Sequence, residues 1–181
     1  MDEWPQLHED MSCSGLTVAV DASLQVATLR YFAHEGAFAE AVREATGLAL
    51  PQTLQAVEGP EAQLVLAWRS PTETLVIGAG GAGLSQLAAR LARFADGCFV
   101  DLSGGLKVVR VSGERGSDLL CRLGGTASVP RPGEARRSRL ADVAVLALSV
   151  RELETLLVVD RAHLPHVLAW IRETLLDFAA A

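Results

Sequence analysis

The sequence predicts an α+β fold in which antiparallel or mixed sheets alternate with interleaved helices. Three observations lead there. Pairs of short apolar runs are separated by turn chemistry, as in hairpins. Apolar residues at helical spacing recur between those pairs. After the strand that closes near Asp101 the chain enters another strand with no crossover helix, unlike a parallel sheet.

The elements follow in order. Residues 24–31 (LQVATLRY) roughly alternate and read as a strand. Residues 35–46 place Phe38, Ala41, Val42 and Ala45 on one helical face, stopped by Gly47 and later Pro51. Residues 64–68 and 74–77 are apolar runs joined by Arg69-Ser70-Pro71-Thr72-Glu73, where proline presets one backbone angle and serine can bond its own backbone, so a hairpin is expected. A glycine cluster at 78–83 opens a helix with Leu84, Leu87, Ala88, Leu91 and Ala95 inward and Arg90 and Arg93 outward.

Residues 99–102 and 106–111 are two further strands, with Gly104-Gly105 permitting a bend between them. Residues 117–123 form a short helix capped by Gly124-Gly125. Residues 129–139 read as a Pro- and Arg-rich loop, and 142–149 with 155–159 as a second hairpin. The last helix, 162–178, aligns Leu164, Val167, Leu168, Ile171, Leu175 and Phe178, with Pro165 allowed only in its first turn. No repeat exists at the level of residue identity, although hairpin–helix units recur.

The 181 residues suit one domain. A chain of that size buries roughly 70 % of its unfolded surface and needs no staples. Half its residues are apolar and 21 % are charged, which excludes wholesale disorder. A net charge of −6 and only 5 % aromatics argue against nucleic acid as partner. The charge is concentrated in front: eight acids meet two arginines up to Leu50, whereas 14 acids meet 14 bases beyond it. Residues 1–23 are therefore read as an acidic, flexible segment ahead of a domain at 24–181. No apolar stretch reaches the ~18–20 residues of a membrane span, and no signal peptide opens the chain, so a cytoplasmic location is expected. Cys13, Cys98 and Cys121 form no CxxC pair and read as buried free thiols.

The loudest motif is Val76-Ile77-Gly78-Ala79-Gly80-Gly81-Ala82-Gly83. Gly78, Gly80 and Gly83 fit G-x-G-x-x-G after a strand and before a helix, and Asp101 stands where a ribose-binding acid would be expected. Glycines let a backbone approach a pyrophosphate, and a helix N-terminus supplies unpaired N–H donors. The other reading is a strand-to-helix connector, because the glycine strand is the second arm of a hairpin. His8, His34, His163 and His166 are sparse; only His163 and His166 share a helix start, without a third ligand at suitable spacing. Arg131, Arg136, Arg137 and Arg139 suit either carboxylate recognition at an interface or a solvated loop. No G-x-S-x-G elbow or Cys–His protease signature is present, so no catalytic, cofactor-binding or metal residue is assigned.

From Leu64 onward the ordered motifs resemble the gamma subunit family of heterotetrameric sarcosine oxidase. They are Ala67-Trp68-Arg69-Ser70-Pro71-Thr72-Glu73, Val100-Asp101-Leu102-Ser103, Val111-Ser112-Gly113, Asp118-Leu119-Leu120, Arg137-Ser138-Arg139-Leu140, Val158-Val159-Asp160-Arg161 and Trp170, with Gly47-Leu48-Ala49-Leu50-Pro51 upstream. The resemblance covers roughly 24–178. It implies a fold related to the folate-binding domain of aminomethyltransferases and a non-catalytic subunit of a bacterial flavoenzyme complex. Such complexes demethylate sarcosine oxidatively to glycine, with hydrogen peroxide and a one-carbon unit, formaldehyde or methylene-tetrahydrofolate, as products. It further implies alpha, beta and delta partner subunits that carry the FAD, FMN, NAD, tetrahydrofolate and zinc. The K-G-C-x-x-G-Q-E-like motif of related folate-dependent iron–sulfur maintenance proteins is absent, and Lys107 is the only lysine. The glycine cluster departs from the family's pattern and leaves open an extra ligand contact or another N-methylated amine. The alternatives are a dinucleotide-binding module on the 78–83 loop and a free-standing folate-binding protein.

Overall fold

The structure, a computed structural model, describes residues 10–13, 15–59, 64–80 and 82–179. Strands β1 (Met11–Cys13), β2 (Leu16–Val20) and β3 (Leu24–Tyr31) precede helix α1 (Ala37–Thr46). Then come β4 (Ala56–Glu58), β5 (Leu64–Ser70), β6 (Glu73–Ala79), α2 (Ala82–Leu91), β7 (Gly97–Asp101) and β8 (Leu106–Gly113). The chain ends with α3 (Gly116–Gly124), β9 (Glu134–Leu140), β10 (Val143–Arg151), β11 (Glu154–Asp160) and α4 (Leu164–Ala179).

The strands form two sheets in which every described pairing is antiparallel: a six-stranded sheet ordered β1-β2-β8-β11-β10-β9 and a five-stranded sheet ordered β4-β5-β6-β3-β7. Both are split β-α-β units. In the smaller sheet β3-α1-β5-β6-α2-β7 gives the spatial order β5-β6-β3-β7. In the larger one β8-α3-β10-β11-α4 gives β10-β11-β8, and the place of the fourth strand is filled by β2 from the N-terminus. The recurring hairpin–helix units are these two halves.

Side-chain alternation explains the layering. On β10 Val143, Val145 and Ala147 join a core with Leu119 and Leu120 of α3 and Val167, Ile171 and Phe178 of α4. The intervening Leu146 and Leu148 join Val108, Leu156 and Val158 against Val26, Val65, Leu75 and Ile77 of the other sheet. A third cluster seats Phe38, Val42, Leu84, Leu87 and Leu91 of α1 and α2 on Leu29, Leu66 and Val76. The result is helices, sheet, sheet, helices, with an apolar layer at each of three junctions.

The α+β class stands, with three corrections. First, the helices do not simply alternate with sheets: two sheets stack face to face and the helices lie on their outer sides. Second, β1 and β2 are not a flexible arm: Leu16 and Val18 are buried and β2 pairs along β8. The chain before Asp10, including His8, lies outside the described residues. Third, the expected loop at 129–139 contains β9, paired along its whole length with β10 from Val143 to Ser149. Its four-residue link, Leu140 to Val143, places Ala141 at φ 48° and Asp142 at φ 63°. A two-residue hairpin turn needs those positive angles, and without the usual Asn-Gly the sequence hides it. The α2 helix also stops at Leu91, leaving Ala95 exposed.

Candidate functional site

The glycine motif occupies the end of β6 and the entry to α2. Gly78 is a ladder residue, opposite Gln25 on β3 and Leu64 on β5. Gly80 donates its N–H to the Ser23 carbonyl at 2.8 Å, and a Cβ there would sit 3.2 Å from the Gln25 side chain. A cavity of about 480 Å³ opens beside it, lined by Ala45, Thr46, Gly59, Leu64, Gly78 and Leu87 among others, none of them charged. Asp101 is not in that wall. It closes β7, separated from β6 by β3, and accepts the Ser103 N–H at 2.8 Å. Hydrogen bonds from Ser103, its side chain first and then its backbone, hold the Asp101 carboxyl below the ordinary aspartate range. The structure therefore does not bring the glycines and their expected ribose-binding acid together, and the antiparallel setting of β6 is not that of a dinucleotide fold.

The histidines also go to separate tasks. His166 Nε2 lies 3.1 Å from the Ala141 carbonyl, bracing the strained turn, and its ring meets Trp170 edge-on at 6.5 Å. His163 stands beside Asp160 at the rim of another cavity. No group of three or more His, Cys, Asp or Glu positioned for a metal occurs among the described residues. Cys13 and Cys121 are partly buried, but Cys98 is exposed on the edge strand β7, against the expectation of buried thiols.

The arginine run, placed on a strand, divides by parity. Arg136 binds Glu134 at 2.8 Å on one side of β9. That hydrogen bond, aided by the Arg131 N–H, holds the Glu134 carboxyl below its ordinary value. Arg139 donates to the Asp142 carbonyl. Arg137 faces the other way, with Ala135 and Leu146, into a cleft of about 300 Å³ between the ends of the two sheets. Arg69, Leu75, Leu106, Ala144, Val158, Asp160 and His163 complete most of its wall. Sequence reading missed this pairing of Arg69 with Arg137, because nothing in a one-dimensional pattern says that β5 lies over β9. The alternation in Ala135-Arg136-Arg137-Ser138-Arg139 was the one available signal.

Elsewhere charged groups serve the scaffold. Arg110 on β8 binds Asp21 at 2.9 Å and Glu154 at 2.7 Å, tying the β2–β3 turn to β11. Burial acts to raise the Asp21 pKa, but hydrogen bonds from Ser23 and Arg110 outweigh it and leave the carboxyl below its ordinary value. Several large apolar side chains face outward, among them Phe32 at 86 % exposure and Trp170 at 52 %.

A family model described as sarcosine oxidase, gamma subunit family, matches residues 30–175. Among solved structures, heterotetrameric sarcosine oxidase from Corynebacterium sp. U-96, in complex with pyrrole 2-carboxylate, superposes with a TM-score of 0.81 at 23 % identity, over 92 % of this chain and 86 % of that one. Glycine cleavage system aminomethyltransferase T from Bartonella henselae superposes with a TM-score of 0.65 at 11 % identity, over 87 % of this chain and 45 % of that one. Both are likenesses of fold. No curated protein matches the sequence.

Proposed function

The chain belongs to the sarcosine oxidase gamma subunit family, and on that basis we propose that it is a structural, non-catalytic gamma-type subunit of a heterotetrameric sarcosine oxidase-like complex. The observation that carries this reading is the extent of the family match: residues 30–175 run from the end of β3 into α4 and take in both helix–sheet layers. The partners are alpha, beta and delta subunits in the cytoplasm. They hold the FAD, FMN, NAD, tetrahydrofolate and zinc. The complex removes two electrons from the N-methyl group of sarcosine and passes them to oxygen as hydrogen peroxide. Glycine remains, and the oxidised methyl carbon leaves as formaldehyde, its oxygen taken from water, or is transferred to tetrahydrofolate as methylene-tetrahydrofolate.

The arrangement of charge on this chain supports a scaffold role. Arg110, Arg136 and Arg151 are each paired with acids that fasten strands or turns. Among the described residues, the wall of the glycine-loop cavity carries no charged side chain to grip a pyrophosphate. Co-expression with the large subunits of its complex tests the proposal. A complex that survives size exclusion with this chain at fixed stoichiometry is the expected result; a chain that always elutes alone overturns it. Tetrahydrofolate titration of the isolated chain is the parallel test of a free-standing folate-binding role.

A further inference from the structure

Resting on that subunit reading, we propose that the cleft between the ends of β5 and β9 seats an acidic segment of a large partner subunit, its carboxylate received by Arg137 and Arg69 and a neighbouring apolar side chain lying on Leu75, Leu146 and Val158.

The first reason is an uncovered inner face. Ala144 shares its side of β10 with Leu146 and Leu148, which are sealed in the inter-sheet core, yet Ala144 is exposed and lines the cleft. The two sheets part here, so that Ala144 is exposed and the buried Leu75, Leu146 and Val158 reach the base of the cleft with their edges only. A second reason is the guanidinium that looks over it. The guanidinium groups of Arg136 and Arg139 are held by Glu134 and by the Asp142 carbonyl, whereas Arg137 makes no hydrogen bond or ion pair among the described residues. Across the cleft Arg69 stands only 3.8 Å from Glu73, whose other oxygen is held by Arg30 at 2.6 Å. Asp160 supplies the one carboxylate among the described residues of the cleft wall, and it already accepts the Ala162 N–H at 2.8 Å.

Two guanidinium groups with spare donors, facing each other over an apolar floor, match a carboxylate flanked by an apolar side chain. Guanidinium forks bind carboxylates in a bidentate manner, and arginine is enriched at protein interfaces. A cleft of about 300 Å³ takes one or two side chains. A nucleic-acid polyanion is disfavoured by the overall charge of −6.

The test uses the full chain co-expressed with its large subunits, comparing wild type, R137E, R69E and, as a charge-matched control on the exposed face of α2, R90E. Circular dichroism melts check folding, with R137Q as the milder variant should R137E melt early. We expect R137E and R69E each to weaken assembly about tenfold or more, R137Q by less, and R90E to assemble like wild type. Restored assembly when an acid of the partner is exchanged for lysine against R137E identifies the carboxylate. Wild-type assembly by R137E and R69E overturns the cleft proposal while leaving the subunit reading intact; a wild-type chain that never joins the complex overturns both. Two further results also overturn it: a dimer of this chain lost in R137E, which makes the occupant a second copy, or deletion of residues 1–9 abolishing the effect of R137E, which makes it the chain's own acidic segment.

Discussion

The backbone N–H of Phe38 donates to the Asp96 carboxylate at 3.1 Å, across 58 residues of sequence. Phe38 lies in the first turn of α1, where N–H groups have no partner within the helix, and the cap position itself is Gly36 without a side chain to offer. The loop before β7 reaches over and supplies the missing acceptor. It also places a negative charge at the positive end of the helix dipole.

Replacing Asp96 with alanine leaves that donor without a protein acceptor and should cost about 1 kcal/mol, the usual value of an N-terminal cap. In a chain of this length that lowers Tm by roughly 2–4 °C. Asp96→Asn should recover most of the loss. Thermal unfolding of the two variants checks it, and equal melting of wild type and D96A would refute the cap.

The next residue locks the same contact. A Cβ on Gly97 would fall 2.5 Å from Cγ of Phe38, inside the ring's van der Waals surface, and Phe38 is fully buried. Gly97→Ala should therefore cost about 1–3 kcal/mol, as overpacking does. A compensating Phe38→Leu in the same chain should return part of it. Denaturant midpoints of the single and double variants measure the coupling.

The turn between β9 and β10 should respond in the opposite direction. Ala141 carries φ 48° and Asp142 φ 63°, angles that cost a side chain with a Cβ about 1–2 kcal/mol. Ala141→Asn with Asp142→Gly should raise Tm, since the bonds from His166 and Arg139 go to backbone carbonyls that both substitutions keep. A lower Tm would mean that the turn is held by something other than its backbone preference.

Acid should weaken the fold partly through Asp21. Its folded pKa lies below the ordinary 3.8, so the unfolded chain binds the proton more readily. The stability it contributes is complete above the unfolded pKa and is lost as pH falls through the folded one. Urea midpoints between about pH 5 and pH 2 should decline for wild type and decline less steeply for Asp21→Asn. Identical slopes would remove Asp21 from the account.

NAD, NADP and FAD at millimolar concentration should leave the Tm of the isolated chain unchanged, because Gly78 and Gly80 lie at the end of an antiparallel strand and Gly83 in the first turn of α2, while Asp101 lies beyond β3. A reproducible rise with any of the three would restore the glycine loop as a nucleotide site.

Much of the local architecture was legible. The alternation in LQVATLRY, the proline turn after Trp68 and the helical stripe from Leu164 to Phe178 each point to one element, and the ordered motifs from Ala67 to Trp170 point to the family. These signals are local because strand and helix periods are set by neighbouring side chains choosing one face. β9 escaped because its turn lacks glycine and its outward residues are arginines, as suits the edge of a sheet. β2 escaped because a five-residue strand carries little pattern before it finds β8.

By itself, then, the sequence determined most of the elements and the family to which the chain belongs. Only tertiary structure decided that the sheets number two, that the N-terminal strand completes the second half, and that Asp96 caps α1. It alone brought Arg69 to face Arg137. Each of these is a meeting of segments far apart in the chain, and such meetings are selected by the burial of apolar faces against one another, a property of the whole fold that no window of residues contains.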